Sequence, residues 1–161
     1  MEYYSTRDTV KRMSASEAIS RGLAPDGGLY VPESFPHIGQ DELESLCKMN
    51  YRERAARIMA PFLADFTPDE VAELCAQAYG GNFDSEDIAP TRLIDETTGY
   101  LELWHGPTSA FKDMALQMLP RLLTASLRKR GVKPGVCAVE GNFDDAQTGV
   151  KRIFSDKELA A

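Results

Sequence analysis

The chain has 161 residues, of which 43% are hydrophobic and 27% are charged, and its formal net charge is −7. This composition is typical of a globular protein of one domain, or of one small domain with part of another. The negative charge argues against a nucleic-acid or anionic-membrane partner, since both require a basic face. The N-terminus lacks the apolar core of a signal peptide, and no segment approaches the roughly 20 apolar residues that span a bilayer.

The cysteines favour neither a metal site nor a thiol nucleophile. Cys47, Cys75 and Cys137 are odd in number and widely spaced, and the only histidines are His37 and His105. No pair among them has metal-ligand or nucleophile spacing, so we predict no metal site and a reducing, cytoplasmic compartment. Cys47 and Cys75 lie in apolar helical patterns, which predicts that both are small core residues.

The first 80 residues predict a small, mainly helical unit. A helix is expected over 14–21, with Ser14 as its cap and Glu17 completing a capping box. The Asp-Gly-Gly run at 26–28 has two interpretations, a phosphate-cradling loop or a tight turn before a short strand over 29–31. No helix frames this run as a phosphate loop requires, so the turn is favoured.

Three more helices follow in this unit. The pattern predicts one over 41–49, with Leu43 and Leu46 directed inward, and one over 51–66. Pro61 interrupts the second, so that helix either kinks or a new one begins with Pro61 in its first turn. The run at 67–70 is a clear start for the next helix, with a threonine cap, a proline at the first position and two acids.

Residues 81–99 are polar and form a connection into the next unit. A hairpin is expected there, with Leu93 and Ile94 on one strand, a turn over 95–99 and a return strand over 100–104. The return strand is apolar except for Glu102, which predicts a largely buried strand.

The segment that follows this strand contains the candidate site. Gly106 and Pro107 predict a turn, and Thr108 or Ser109 can cap a helix that begins there. Lys112 then falls in the first turn, where the partial positive charge of the helix start disfavours an ammonium. The neutral amine is the form that attacks carbonyls, which makes the lysine a candidate nucleophile. From spacing alone, the alternative is an ordinary surface lysine paired with the adjacent aspartate.

The helix after Lys112 is apolar nearly all round, which predicts burial within a larger body. Pro120 should bend it, because proline donates no helix hydrogen bond to the residue four positions earlier. The basic run at 128–130 and Gly131 close it as an ordinary C-terminal cap. A strand over 136–140 and a further helix complete the expected elements.

Three stretches resemble one enzyme family. Residues 105–113, His-Gly-Pro-Thr-Ser-Ala-Phe-Lys-Asp, closely resemble the lysine motif of threonine synthases, which are dependent on pyridoxal 5'-phosphate (PLP). In that family the lysine of the Phe-Lys-Asp triplet holds the cofactor as a Schiff base, and by position it corresponds to Lys112. Residues 22–32 resemble the family's N-terminal Gly-Leu-x-Pro-Asp-Gly-Gly-Leu-Tyr-Val-Pro pattern, and residues 139–156 resemble a later part of its cofactor domain.

The resemblance implies an α/β fold with two units. Residues 1–80 would be a small, mainly helical, threonine-synthase-like N-terminal domain. Residues 81–161 would be part of a PLP-binding catalytic domain of the fold-type II, tryptophan-synthase-β-like class, with three αβα layers.

The same resemblance implies a PLP-dependent carbon–oxygen lyase of threonine biosynthesis, which converts O-phospho-L-homoserine and water to L-threonine and phosphate. Lys112 would hold the cofactor and, once freed, move protons at the α and β carbons of this small-molecule substrate. Asp113 and Thr108 would support the lysine and the turn, and His105 would fix the turn structurally.

The sequence departs from the family pattern after the lysine helix. Family members carry there a strand and a glycine-rich Ser-Gly-Asp-Thr-Gly loop, which suits the dianionic phosphate of PLP. Here an internal gap falls near residues 131–138, and that loop is absent. Two alternatives therefore stay open, a catalytically inert fragment and a threonine-synthase-like phospholyase. A cofactor-domain sheet without its central strands would also expose the lysine helix, which favours self-association.

Overall fold

The computed structural model describes residues 1–132, which form a mixed α/β fold. Five strands and six α-helices follow one another along this part of the chain. In order they are β1 (Tyr3–Ser5), β2 (Asp8–Met13), α1 (Ala15–Arg21), β3 (Tyr30–Pro32), α2 (Gln40–Cys47), α3 (Tyr51–Met59), α4 (Pro68–Ala78), β4 (Thr91–Leu93), β5 (Gly99–Leu101), α5 (Asp113–Leu116) and α6 (Leu119–Lys129). The strand and helix predicted beyond residue 135 lie outside the described residues.

The first three strands form an antiparallel sheet in the order β2-β1-β3. The tight turn predicted at Asp26 is confirmed: its Oδ1 accepts from the Gly28 N–H and the Ser5 hydroxyl, each at 2.8 Å. These hydrogen bonds, with that from Gly28 first, hold the pKa of Asp26 below its ordinary value. Gly27 has φ 76°, a conformation that glycine adopts without steric cost. The sequence did not predict β1 or β2.

The caps of α1 and α4 confirm their predicted starts and differ in one detail. Ser14 accepts from the Glu17 N–H at 3.2 Å, but the Glu17 carboxylate pairs with Arg21 at 2.6 Å instead of closing the capping box. The predicted box was therefore half right, because a basic residue one turn later competes for the carboxylate. At α4 the box is complete. The Thr67 N–H donates to the Glu70 carboxylate at 2.7 Å, and the Glu70 N–H donates to the Thr67 hydroxyl at 3.2 Å.

Pro61 lies in the first turn of a separate 3₁₀ helix over Ala60–Phe62, which selects one of the two expected alternatives. The inward positions of α2 were partly wrong. Leu46 is buried, whereas Leu43 is 50% exposed and Cys47 is exposed. Helix α2 packs only lightly on its neighbours, so Leu46 is the one residue of this helix that is buried.

One hydrophobic core joins the early helices to α6. Its buried members are Ala15, Leu63, Phe66, Val71, Cys75, Ala78, Tyr79, Ile88 and Met118. Helix α1 packs against α6, and α3 packs against α4. The predicted core position of Cys75 is confirmed, and the domain boundary near residue 80 stays a prediction.

The hairpin forms as predicted, but its burial is reversed. Strands β4 and β5 pair antiparallel, with Arg92 opposite Tyr100. Tyr100 and Leu101 are 46% and 53% exposed, whereas Glu102 is 7% exposed. The prediction of a buried apolar strand was wrong, because the two-stranded sheet packs no apolar face and Glu102 turns inward to ionic partners.

The single long helix predicted after Thr108 was also wrong. The structure has the four-residue α5 and then α6, separated at Gln117 and Met118. Pro120 lies in the first turn of α6, the helical position that tolerates a missing N–H. The bend predicted at Pro120 is therefore replaced by a break between two helices.

The expected burial of this region all round is contradicted as well. Leu116 and Leu119 are 50% and 52% exposed, because α6 packs on α1 and α4 with one side only. Its C-terminal cap is as predicted, with Gly131 at φ 69° and the Val132 N–H donating to the Leu127 carbonyl at 2.9 Å. Among residues 1–132, no helix has both the length and the apolar character needed to cross a membrane.

Candidate active site

Lys112 lies at the end of a turn and immediately before α5. Its φ and ψ of −63° and −22° are already helical, and it is exposed. Its carbonyl accepts from the Ala115 and Leu116 N–H groups at 3.0 and 2.8 Å. The main chain at Lys112 is thus fixed by the first turn of α5, while the side chain is accessible.

The adjacent Asp113 is the buried anchor of this turn. It is 1% exposed, and its Oδ2 accepts from the Thr108 N–H at 2.8 Å. The Thr108 hydroxyl also donates to Asp113 Oδ1 and Oδ2, at 2.9 and 3.0 Å. Within the described chain no ion pair joins Lys112 to Asp113, because the carboxylate is engaged by the threonine. The structure therefore brings Thr108 and Asp113 together and leaves the lysine amine outside the pair.

This arrangement corrects the expected cap. Neither Thr108 nor Ser109 caps a helix, because the chain makes a further turn before α5 begins at Asp113. Ser109 instead adopts φ 56°, and its N–H donates to the Gly106 carbonyl at 3.1 Å. A non-glycine residue in the left-handed region is uncommon, and such residues concentrate at functional turns.

Gly106 allows the two sides of the turn to approach closely. A Cβ at this position would lie 2.4 Å from Asp113 Cβ and 2.5 Å from its Oδ2. Both distances are far below van der Waals contact, so only glycine fits here without displacing the carboxylate. The Gly-Pro signal in the sequence marked a turn, but the reason for the glycine is this contact.

His105 connects this turn to two acidic segments. Its Nδ1 is 2.5 Å from Asp84 Oδ1, and its Nε2 is 2.7 Å from Glu102 Oε2. The Asp84 N–H also donates to the His105 carbonyl at 2.9 Å, and Arg92 Nε lies 3.2 Å from Glu102 Oε1. A carboxylate at each ring nitrogen favours the doubly protonated imidazolium, which can donate to both.

The pKa shifts follow from these contacts. Hydrogen bonds to Glu102 and then to Asp84 raise the pKa of His105 above its ordinary value. The hydrogen bond from His105, assisted by Arg92, lowers the pKa of Glu102 despite partial burial. These contacts favour the protonated form of the histidine, and its expected role in fixing the turn stays a prediction.

Sequence reasoning missed the partners of His105. Asp84 lies in the polar connection, and Glu102 was interpreted as an interruption of an apolar strand. The available signal was the spacing of Glu102 and His105, which are three residues apart on either side of Trp104. Among residues 1–132, no three histidine, cysteine, aspartate or glutamate side chains come together as metal ligands.

The chain resembles several proteins over most of its length. A family model described as the threonine synthase N terminus matches residues 2–79. A threonine synthase from Pseudomonas aeruginosa is 42% identical, in an alignment covering 98% of this chain and 44% of the relative. One from Methylobacillus glycogenes is 40% identical over 81% of this chain and 29% of the relative. The chain thus spans less than half the length of these curated relatives.

Solved structures give the same correspondence. A PLP-bound threonine synthase from Brucella melitensis matches with a TM-score of 0.77 and 28% identity, over 98% of this chain and 45% of that one. Threonine synthase from yeast matches with a TM-score of 0.75 and 26% identity, over 98% and 44%. The mixed α/β fold expected from the sequence therefore matches the N-terminal region of these enzymes.

The alignment with the Pseudomonas relative also bears on the internal gap. It extends over 208 positions, which is more than the 161 residues of this chain. The relative therefore carries internal residues that this chain lacks, while the location predicted for the gap, near 131–138, stays a prediction. Nearly all of that stretch lies outside the described residues.

Proposed function

Because the chain belongs to the threonine synthase family, through the N-terminal portion that it matches, we propose that it takes part in PLP-dependent synthesis of threonine. The substrate would be O-phospho-L-homoserine, and the products L-threonine and phosphate. The observation that carries the proposal is the accessible amine of Lys112, which directly precedes an anchored aspartate in a chain matching a PLP-bound enzyme.

The residues around Lys112 fit the aldehyde end of PLP. An aldehyde condenses with a primary amine, and the Lys112 amine is exposed and held by no ion pair within the described residues. The neighbouring carboxylate of Asp113 is buried and saturated by Thr108, so it does not compete for the amine. Lys112 is therefore the residue that we assign to hold the cofactor.

When bound, PLP supplies an electron sink that stabilises negative charge on the substrate carbons. The Lys112 Nζ, once displaced by the substrate amine, would take up and return protons at the α and β carbons. Such proton transfer requires that the amine lie close to both carbons. The main chain at Lys112 must therefore be held in a fixed position.

Thr108 and Asp113 would provide that rigidity. Their three hydrogen bonds, at 2.8 to 3.0 Å, close the turn between Gly106 and α5. We assign both residues a supporting role, in which they fix the main chain next to Lys112 and touch neither cofactor nor substrate.

The finer assignments are part of the same proposal. The reaction would make the protein a carbon–oxygen lyase acting on a phosphate ester, in the cytoplasm, with a small-molecule substrate and no nucleic-acid or membrane partner. Phosphate release from O-phospho-L-homoserine measures this reaction directly. Sedimentation velocity at two protein concentrations tests the expected self-association.

Borohydride trapping tests the assignment of Lys112. The chain is mixed with near-stoichiometric PLP, reduced, digested and mapped by mass spectrometry. We expect the pyridoxyl adduct on Lys112, its loss in Lys112→Ala, and its retention in Lys48→Ala, a matched change of another exposed lysine. An adduct that persists at full yield in Lys112→Ala would show that another lysine holds the cofactor.

The inert fragment is the second candidate, and the absent glycine-rich loop favours it. Without that loop the phosphate of PLP lacks its family cradle, so the aldehyde would sample every exposed lysine. Labelling spread over the surface lysines in proportion to exposure would support the inert fragment. A phospholyase of other specificity is separated from both by competition among phosphorylated amino-acid substrates.

A further inference from the structure

The break between α5 and α6 releases main-chain carbonyls from their helical partners. In a continuous helix Met114 would accept from the Met118 N–H, but that N–H donates to the Ala115 carbonyl at 3.1 Å. Met114 therefore needs another donor, since a partly buried carbonyl without one is destabilising. The donor is the hydroxyl of Tyr79, whose Oη lies 3.0 Å from the Met114 oxygen.

Tyr79 is itself rigidly placed. It is 7% exposed, at the C-terminal end of α4, and belongs to the main core. Its ring meets that of Tyr51 edge to face at 5.0 Å and that of Phe83 at 6.2 Å. Burial raises the pKa of Tyr79 to about 12, so the phenol stays protonated and can donate at neutral pH. The hydroxyl is thus a fixed donor presented to α5 from another part of the fold.

A second side chain from the same region holds the break. Asn82 Nδ2 donates to the Gln117 Oε1 at 2.5 Å. The Gln117 carbonyl, which also lost its helical partner, accepts from the Arg121 guanidinium. The unwound residues between the two helices are therefore tied to fixed groups instead of being left to solvent.

We propose that Tyr79 is a positioning residue for Lys112, acting through its hydrogen bond to the Met114 carbonyl. Lys112 is followed by two consecutive residues that are each held by a residue outside α5, Asp113 by Thr108 and Met114 by Tyr79. With both clamped, the orientation of α5 is set, and with it the direction in which the Lys112 side chain leaves the main chain. The inference rests on the proposed function only for the purpose of the lysine, which is to hold PLP. The contact between Tyr79 and α5 does not depend on that function.

The chain contains a matched control for this bond. The Tyr3 hydroxyl donates to the Phe62 carbonyl at 2.9 Å, the same kind of bond at nearly the same distance. This bond joins β1 to the 3₁₀ turn and involves no residue of α5. Tyr79→Phe and Tyr3→Phe therefore remove equivalent hydroxyls, and only the first should affect the lysine.

Amide hydrogen exchange of the cofactor-free protein gives the first readout. The Leu116 and Gln117 N–H groups close the only turn of α5 through bonds of 2.8 and 3.0 Å. We expect Tyr79→Phe to accelerate their exchange roughly tenfold, the effect of leaving one acceptor without its donor. Tyr3→Phe should leave these two amides unchanged. Equal exchange of α5 in both variants would overturn the proposal.

Borohydride trapping with PLP gives the second readout. We expect Tyr79→Phe to lose most of the preference for Lys112 over other lysines, while Tyr3→Phe retains it. Full retention of the preference in Tyr79→Phe would also overturn the proposal. If the unmodified chain shows no preference for Lys112, the proposed function fails, and the exchange data decide alone whether Tyr79 holds α5.

A second variant covers a failure of Tyr79→Phe to fold. Asn82→Ala removes the other outside contact to the break, that with Gln117, without changing the core ring. Faster exchange at Leu116 and Gln117 in this variant supports an externally held α5. Unchanged exchange there overturns it.

Discussion

Gly106 offers a direct test of the packing beside Lys112. In Gly106→Ala the new Cβ would lie 2.4 Å from Asp113 Cβ, whereas ordinary contacts begin near 3.4 Å. One side must therefore retreat by about 1 Å. Asp113 is 1% exposed and bonded to Thr108 at 2.8 to 3.0 Å, so a shift of that size would break the bonds.

The expected cost follows from these alternatives. Overpacking a tight site costs about 1–3 kcal/mol, and a lost hydrogen bond to a charged group costs about 1.5–3 kcal/mol. If Asp113 moves away to relieve the overpacking, it loses its hydrogen bonds to Thr108, so one of the two costs always remains. We therefore expect Gly106→Ala to lower the free energy of unfolding by about 2–3 kcal/mol. For a chain of this size the melting temperature would fall by about 5–10 °C.

Urea unfolding followed by far-ultraviolet circular dichroism measures this loss. Gly81→Ala is the matched control, because a Cβ there meets nothing within 4 Å and the backbone is not left-handed. The control should stay within about 0.5 kcal/mol of the unmodified chain. If Gly106→Ala matched the control, the argument from close approach would be refuted.

A double-variant cycle identifies where the energy is lost. Thr108→Val alone removes the threonine hydroxyl from Asp113 and should cost about 1.5–3 kcal/mol. If Gly106→Ala already breaks those bonds, adding Thr108→Val should cost much less than it does alone. Additive losses would mean that the strain is relieved elsewhere.

Two further predictions concern titration and thiol reactivity. Because the folded-state pKa of His105 is raised, its stabilisation of the fold is complete below about pH 6.5 and is lost as the pH rises through that folded-state pKa. Because the folded-state pKa of Glu102 is lowered, its stabilisation is complete above about pH 4.5 and is lost as the pH falls through that folded-state pKa. The stability gap between the unmodified chain and His105→Asn should therefore be widest between about pH 4.5 and 6.5 in urea titrations; a gap independent of pH would contradict the ion pairs. Burial raises the pKa of Cys75 to about 11, so in a Cys137→Ser background Ellman's reagent at pH 8 should modify Cys47 at once and Cys75 only as urea unfolds the chain. Equal prompt reaction of both thiols would place Cys75 outside the core.

The elements that the sequence predicted well are those decided within a few residues. The start of α4 depends on Thr67, Pro68 and Glu70, and its capping box involves only the first turn. The bond that stops α1 at Gly22 and the Gly28–Asp26 bond of the turn are equally local, since each joins residues at most four apart. Propensity and spacing suffice for such features.

The features that the sequence did not predict depend on distant partners. Strand β1 has three residues, too few to show a pattern, and pairs with β3 from 25 or more residues away. Strand β2 buries only Met13, so its six residues show no alternation of buried and exposed positions. Glu102 is buried because Asp84, His105 and Arg92 assemble an ionic network around that part of the chain. The strand is present and mostly apolar, as its pattern indicates. Which of its residues are buried depends on the charged partners of Glu102, and the pattern does not contain them.

The same division applies to the site. The motif around Lys112 predicted a turn, which the structure contains, and Thr108 and Asp113 are in contact there. The roles of Lys112, Thr108 and Asp113 stay predictions. The contribution of Tyr79 is invisible in the motif, because it comes from a helix more than 30 residues earlier. The Met114 carbonyl needs this donor only because the helix breaks before Pro120, where the pattern predicted a bend.

The packing of α6 on α1 sets an order for folding. Arg130 in the cap of α6 donates to the Ser20 hydroxyl at 2.7 Å, across 110 positions of the chain. Contacts of such sequence separation close large loops, so they form late and slow the folding rate. The turn carrying Lys112 lies between these two segments, within the large loop that the contact closes.

During synthesis this order has a measurable duration. At about 5–20 residues per second, α6 leaves the ribosome roughly 5–20 s after α1. Throughout that interval the side of α1 that packs on α6 lacks this one partner, although other residues of the core, such as Leu63 and Phe66, are already present before α6 is synthesised. The contact between α1 and α6, which joins the two ends of the described chain, can therefore form only after α6 has been synthesised.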